Sequence, residues 1–145
     1  MEYQIVKLKY SLFYVIRWLL SAALLALAPV VSADGGQDKV VFLIVEPNRL
    51  VASNALRGRF DELKLSAKET IVEYVQAEAV IVVITNQRYI AYGAYAPGWM
   101  SLKIRANEIL NSVQAKDASA ALVTSDRYLN FSGRRGQWAE SKRRL

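Results

Sequence analysis

The 145-residue chain contains no histidine and no cysteine. Without histidine there is no Ser-His-Asp or Cys-His nucleophile, no imidazole base and no histidine-ligated zinc. Without cysteine there are no thiolate metal sites, redox pairs or disulfides. The seven glycines (Gly35, Gly36, Gly58, Gly93, Gly98, Gly133 and Gly136) frame neither a GxGxxG nor a Walker loop, so no phosphate cradle is expected. Carboxylates are the remaining acids. The Asp61-Glu62 pair has no counterpart at Met100-Ser101, and only one acid stands at Ala139-Glu140, which fits a solvated strand face better than a catalytic dyad. The expectation is a protein that is not an enzyme, with no catalytic residue, no metal and no cofactor.

Net charge is confined to the ends. The chain carries a formal +6. Residues 1–33 account for +2 of it, three basic residues less Glu2, and residues 134–145 for +4, five basic residues less Glu140. The stretch between is balanced. A nucleic-acid face would spread Lys and Arg over one element with aromatics between them, so no nucleic-acid partner is expected and the basic end reads as a solvated tail.

Residues 1–33 have the form of an export signal. Lys7, Lys9 and Arg17 make a basic lead, and WLLSAALLALAPVV (residues 18–31) is an apolar core interrupted by Pro29. Val31-Ser32-Ala33 then places small residues at the −3 and −1 positions, which predicts cleavage after Ala33. The alternative is a retained membrane anchor, since residues 12–31 nearly suffice to span a bilayer. The remaining residues, 34–145, suffice for a single domain. A disulfide-free exported domain needs an apolar core or association with other chains, and fits a periplasm or bacterial cell surface.

What the chain has in abundance is repetition. TNQRYIAYGAYAPGW (residues 85–99) returns as TSDRYLNFSGRRGQW (residues 124–138), at a spacing of 39. In the same frame Arg49, Arg88 and Arg127 coincide, as do Phe60, Trp99 and Trp138, and Glu69 with Glu108. Val75-Gln76-Ala77 matches Val113-Gln114-Ala115 only at a spacing of 38, which predicts one inserted residue near Thr70. Three copies result, about 39–78, 79–117 and 118–145, the third cut short. Such a period marks a supersecondary unit that cannot bury its own faces alone.

Each copy reads as β. An apolar run (VVFLIV, AVIVVIT, ASAALVT) predicts a strand covered on both faces. Pro47-Asn48, Asn86-Gln87 and Ser125-Asp126 are turn formers, and the recurring Arg opens the second strand. One face of that strand carries Val51/Ser53, Ile90/Tyr92 and Leu129/Phe131. The other carries Ala52/Asn54, Ala91/Gly93 and Asn130/Ser132, small enough for a second sheet to approach closely. A third strand opens on the aromatic, and IVEYVQAE and ILNSVQAK supply a fourth in the first two copies. These last stretches also carry some helical periodicity; the repeat and its spacing favour strands. The prediction is four, four and three strands.

A four-stranded repeat of this length, with an aromatic fixed at one strand start, resembles the blade of a β-propeller of the WD or tectonin architectural type. The resemblance covers residues 34–145 and includes no family-specific signature. It implies a partial β-propeller: a scaffold, whose function lies elsewhere. Closure takes four to eight blades. Either two chains join as a homodimer of six blades, or the three copies close as a β-trefoil-like barrel.

The repeated Arg49, Arg88 and Arg127, with Phe60, are read as structural, tying neighbouring blades with Glu69 and Glu108 as candidate partners. Ligand-binding candidates are Tyr95, Trp99 and Trp138, because aromatics at repeated positions stack on sugar rings in lectin-like propellers. The function expected is an exported, non-catalytic binding or assembly module that self-associates or binds another protein. The alternatives are a small glycan-binding lectin-like protein and a membrane-anchored interaction module with a basic tail.

Overall fold

A computed structural model describes residues 38–144. The predicted signal segment and its cleavage site lie outside the described residues. The described chain is all-β, in three antiparallel meanders. Sheet 1 has the order β1 (Val41–Glu46), β2 (Arg49–Asn54), β3 (Arg59–Lys64). Sheet 2 has β4 (Ile71–Gln76), β5 (Val80–Thr85), β6 (Arg88–Gly93), β7 (Trp99–Lys103). Sheet 3 has β8 (Leu110–Lys116), β9 (Ser119–Thr124), β10 (Arg127–Ser132), β11 (Gln137–Lys142). The sheets stack face to face; none closes into a barrel, which removes the trefoil alternative for the described residues. Both stretches with helical periodicity are strands, β4 and β8.

The strand partition departs from the repeat. The sheets hold three, four and four strands instead of four, four and three. The last strand of each sequence unit does not return to its own hairpins; it crosses a six-residue connection, 65–70 or 104–109, and pairs with the next sheet. A two-residue turn forces neighbours to pair, whereas a longer connection leaves the partner to be chosen by packing. Here the crossing loop is held on the far side by an ion pair described below.

The spacing also needs correcting. The hydrogen-bond register sets Val75 against Val82 and Gln114 against Ala121, so β4 and β8 correspond at a spacing of 39, not 38. Each carries the same irregularity near its start, between Ile71 and Glu73 and between Leu110 and Ser112. The shared Val-Gln-Ala letters are a coincidence of composition. A one-residue slip moves a side chain to the opposite face: Val75 looks toward sheet 3, whereas Val113 lies on the sheet 3 face that looks back at sheet 2.

Alternation along the strands gives each sheet a front and a back. The front carries Ile81, Val83, Ile90, Tyr92 and Trp99 in sheet 2, and Ala120, Leu122, Leu129, Phe131 and Trp138 in sheet 3. The front of sheet 2 packs on the back of sheet 1 (Val41, Leu43, Leu50, Ala52). The front of sheet 3 packs on the back of sheet 2 (Val80, Val82, Tyr89, Ala91). The central sheet is therefore buried on both sides, and every residue of β5 is buried. At about 25 cal/mol per Å² of apolar surface removed from water, these two layers are the main stabilising term.

The packing alternates large against small. One cross-strand pair on each front holds the aromatic, but on different strands: Phe42–Ser53, Ile81–Tyr92 and Ala120–Phe131. Sheets 2 and 3 approach closely at Gly93 and Gly133. A Cβ on Gly93 would sit 2.3 Å from the Gly133 carbonyl oxygen, closer than any side chain is tolerated.

Candidate interaction surface

The phrase T-x-x-R acquires a physical meaning at the β5–β6 and β9–β10 hairpins. Thr85 Oγ1 accepts from the Gln87 and Arg88 N–H groups, and Thr124 Oγ1 from those of Asp126 and Arg127, so each threonine closes its own two-residue turn. The arginine then faces the crossing loop. Arg88 Nε donates to Glu69 Oε1 at 2.8 Å and Nη2 to Glu69 Oε2 at 3.0 Å, while Nη2 also reaches the Lys64 carbonyl. One repeat later, Arg127 Nε and Nη2 hold Glu108 at 2.8 and 2.9 Å, and Nη2 reaches the Lys103 carbonyl. These bidentate forks clamp the end of one sheet to the start of the next.

Loop geometry prepares each carboxylate. Glu69 accepts from the Ser66 N–H at 3.0 Å and Glu108 from the Arg105 N–H at 2.8 Å, each closing a four-residue turn. Burial alone would raise the Glu69 carboxyl, but hydrogen bonds from Arg88, Ser66 and Thr85 together outweigh it and hold it down to about 2. Burial also works against Glu108, and Arg127 with the Arg105 N–H overcomes it, so that carboxyl too lies below its ordinary range.

Among the described residues no crossing loop precedes sheet 1, and its arginine is held differently. At the threonine position stands Glu46, and Arg49 turns its Nε and Nη2 onto that carboxylate at 2.6 and 3.1 Å. Its Nη1 takes Glu62 at 2.9 Å, matching Arg88 with Ser101 and Arg127 with Glu140. The free edge of β1 is covered by a side chain: Gln76 Nε2 donates to the Val41 carbonyl at 2.7 Å, and its Oε1 lies 3.4 Å from the Leu43 N–H.

Two sheet faces have no sheet upon them among the described residues. The front of sheet 1 exposes Phe42 (47%), Ile44 (43%) and Phe60 (66%) around the Arg49–Glu46–Glu62 cluster. Phe60 stands where Trp99 and Trp138 stand in the sheets whose fronts are covered. The back of sheet 3 is more polar, with Ser119, Ala121, Tyr128, Asn130 and Ala139 outward. A depression of about 520 Å³ lies there, lined by Gln114, Lys116, Ser119, Ala121 and Asn130.

Tyr95, Trp99 and Trp138 do not converge. Trp99 lies between sheets 1 and 2, its indole N–H donating to the Asp61 carbonyl at 2.9 Å and its ring 5.2 Å from Tyr92. Trp138 lies between sheets 2 and 3, its ring 5.1 Å from Phe131 and its buried indole nitrogen without a partner. Tyr95 sits on the β6–β7 turn with its carbonyl taken by Arg57 and its ring 5.4 Å from the Arg134 guanidinium. Asp61 and Glu62 point to opposite faces of β3. Asp61 binds the Tyr92 hydroxyl at 2.6 Å and Arg59 at 2.9 Å, and Glu62 binds Arg49.

Sequence reasoning missed Arg57 and Arg59. They carry the β2–β3 turn of sheet 1 onto the carbonyls of Tyr95, Ala96 and Pro97 in sheet 2. The signal was the departure from the repeat, since the matching positions in the second copy are Ala96 and Gly98. The Asn54 amide is a second such case, donating to the Tyr92 hydroxyl at 2.9 Å and the Ala94 carbonyl at 2.8 Å.

No protein-family model and no curated protein matches the sequence. Among solved structures, the N-terminal domain of Nup159 is similar with a TM-score of 0.41 and 13% identity, over 74% of this chain and 29% of that one. The match thus spans less than a third of that structure's length.

Proposed function

We propose that this chain is an exported, non-catalytic assembly module whose three sheets act as blades of a propeller-like ring that self-association completes. One observation carries the reading. Every front face with a preceding sheet is buried against it, while the front of sheet 1 exposes Phe42, Ile44 and Phe60 in one patch. Such a patch on a small domain marks a docking surface. The export part of the proposal rests on the basic lead, apolar core and small-residue site of residues 1–33.

The test is the solution mass of the protein as its host processes it, by light scattering on a sizing column over a dilution series. A dimer that dissociates on dilution supports the reading. A monomer at every concentration sinks it. Mass spectrometry of the same sample reads the N-terminus, with Asp34 expected as the first residue.

A further inference from the structure

We infer that a second copy of this chain covers the open front of sheet 1 with the back of its own sheet 3, in a head-to-tail contact that repeats the two internal ones. The inference rests on the assembly reading above and specifies its geometry.

Three repeated contacts carry it. First, the guanidinium fork: Arg88 reaches the Lys64 carbonyl and Arg127 the Lys103 carbonyl, each at the end of the preceding sheet's last strand. Arg49 is the same position on sheet 1, and Lys142, the last residue of β11, is the same position on sheet 3. Arg49 already carries its counter-ion in Glu46, so the face meets a partner with its charge compensated. Second, the backbone rung: Val40 N–H donates to the Glu78 carbonyl and Ala79 N–H to the Asp117 carbonyl, one sheet to the next. Continued by one further repeat, Ala118 N–H meets the Lys39 carbonyl of the second copy.

Third, side-chain volumes match inversely. In the interface between sheets 2 and 3 the large Val80 and Val82 receive the small Ala120. On sheet 3 the corresponding residues are Ser119 and Ala121, and the residue on sheet 1 that corresponds to Ala120 is Phe42. The depression on sheet 3 is lined by Ser119, Ala121 and Asn130, the counterparts of the sheet 2 residues that receive sheet 3. Phe42 of the second copy fills it. The contact joins different faces, so two chains close a ring through two identical contacts.

The experiment uses two one-sided variants of the protein in its processed form, Phe42→Asp on the front and Ala121→Arg on the back. Both positions are exposed, so each variant is expected to keep the fold, read by far-UV circular dichroism. Each alone weakens self-association by about 30-fold or more, the size of a lost hot spot. Mixed one to one they form a heterodimer more readily than either forms a homodimer, because one of its two contacts joins an intact front to an intact back and the other sets the introduced carboxylate against the introduced guanidinium. Ala121→Arg that associates like wild type overturns the inference, as does a mixture that stays monomeric; fronts pairing with fronts would give the first result. A wild-type chain that is itself monomeric rejects the assembly reading as a whole, a distinct outcome.

Discussion

Replacing each repeated arginine by methionine turns the three-fold correspondence into a quantitative test. The stem keeps its apolar packing and only the guanidinium is lost. In Arg127→Met, the Glu108 carboxylate is left at 0% side-chain exposure without its cation. It would retain the Arg105 N–H at 2.8 Å but lose both Arg127 bonds. Breaking a buried pair from one side costs about 3–5 kcal/mol. Against a total stability of about 5–15 kcal/mol for a domain of this size, that is a large fraction. The midpoint should fall by roughly 12 °C or more. Arg88→Met strands an equally buried Glu69, but Arg88 itself is 26% exposed and water can replace part of it, so the loss is intermediate. Measured dilute enough to keep the chain monomeric, Arg49→Met should leave the midpoint almost unchanged, because Arg49 and Glu46 are 39% and 37% exposed in the single chain and both hydrate readily. Thermal and urea unfolding at one fixed protein concentration measures all three. The double variant Arg127→Met/Glu108→Leu should recover most of the loss, since an apolar pair needs no counter-charge. Equal losses at the three positions, or the largest at Arg49, would refute the account of the clamps.

The Glu69 carboxyl is held down to about 2 in the fold against an ordinary 4.5, so its contribution is complete above about pH 5 and disappears as pH falls toward 2. The midpoint should drop through that window, and Glu69→Gln should flatten the slope while lowering stability at neutral pH; a slope unchanged by the substitution would count against it. Gly93→Ala should destabilise by more than the ~1–3 kcal/mol typical of overpacking, because the new methyl meets the Gly133 backbone, whereas Gly98→Ala, with open space around its Cβ, should be neutral in the same melts.

Much of this architecture was legible in the chain. Apolar runs bounded by two-residue turns located the strands, and small residues alternating with large ones on the second strand identified the faces that come together. Repetition aligned Arg88 and Arg127 with Glu69 and Glu108, because an identical local phrase folds into an identical hairpin with its arginine at the same corner. The exclusion of histidine and thiolate chemistry also followed from composition alone.

Other features depended on contacts between segments distant in sequence. β4 pairs with β5 through the short turn 77–79, whereas the six-residue loop that leads into it from sheet 1 is anchored by Arg88 on the next sheet. The true register of β4 and β8 lies in the hydrogen-bond ladder, which a shared Val-Gln-Ala cannot report. Arg57, Arg59 and Asn54 gained their roles by departing from the repeat, and their acceptors sit a whole repeat away along the chain. The exposure of Phe60 against the packed Trp99 and Trp138 cannot be read from three aligned aromatics either. Local propensity and periodicity specify strands and faces, because they act between near neighbours. Which face is covered, and by what, is settled only when sheets stack and each buried group finds its partner.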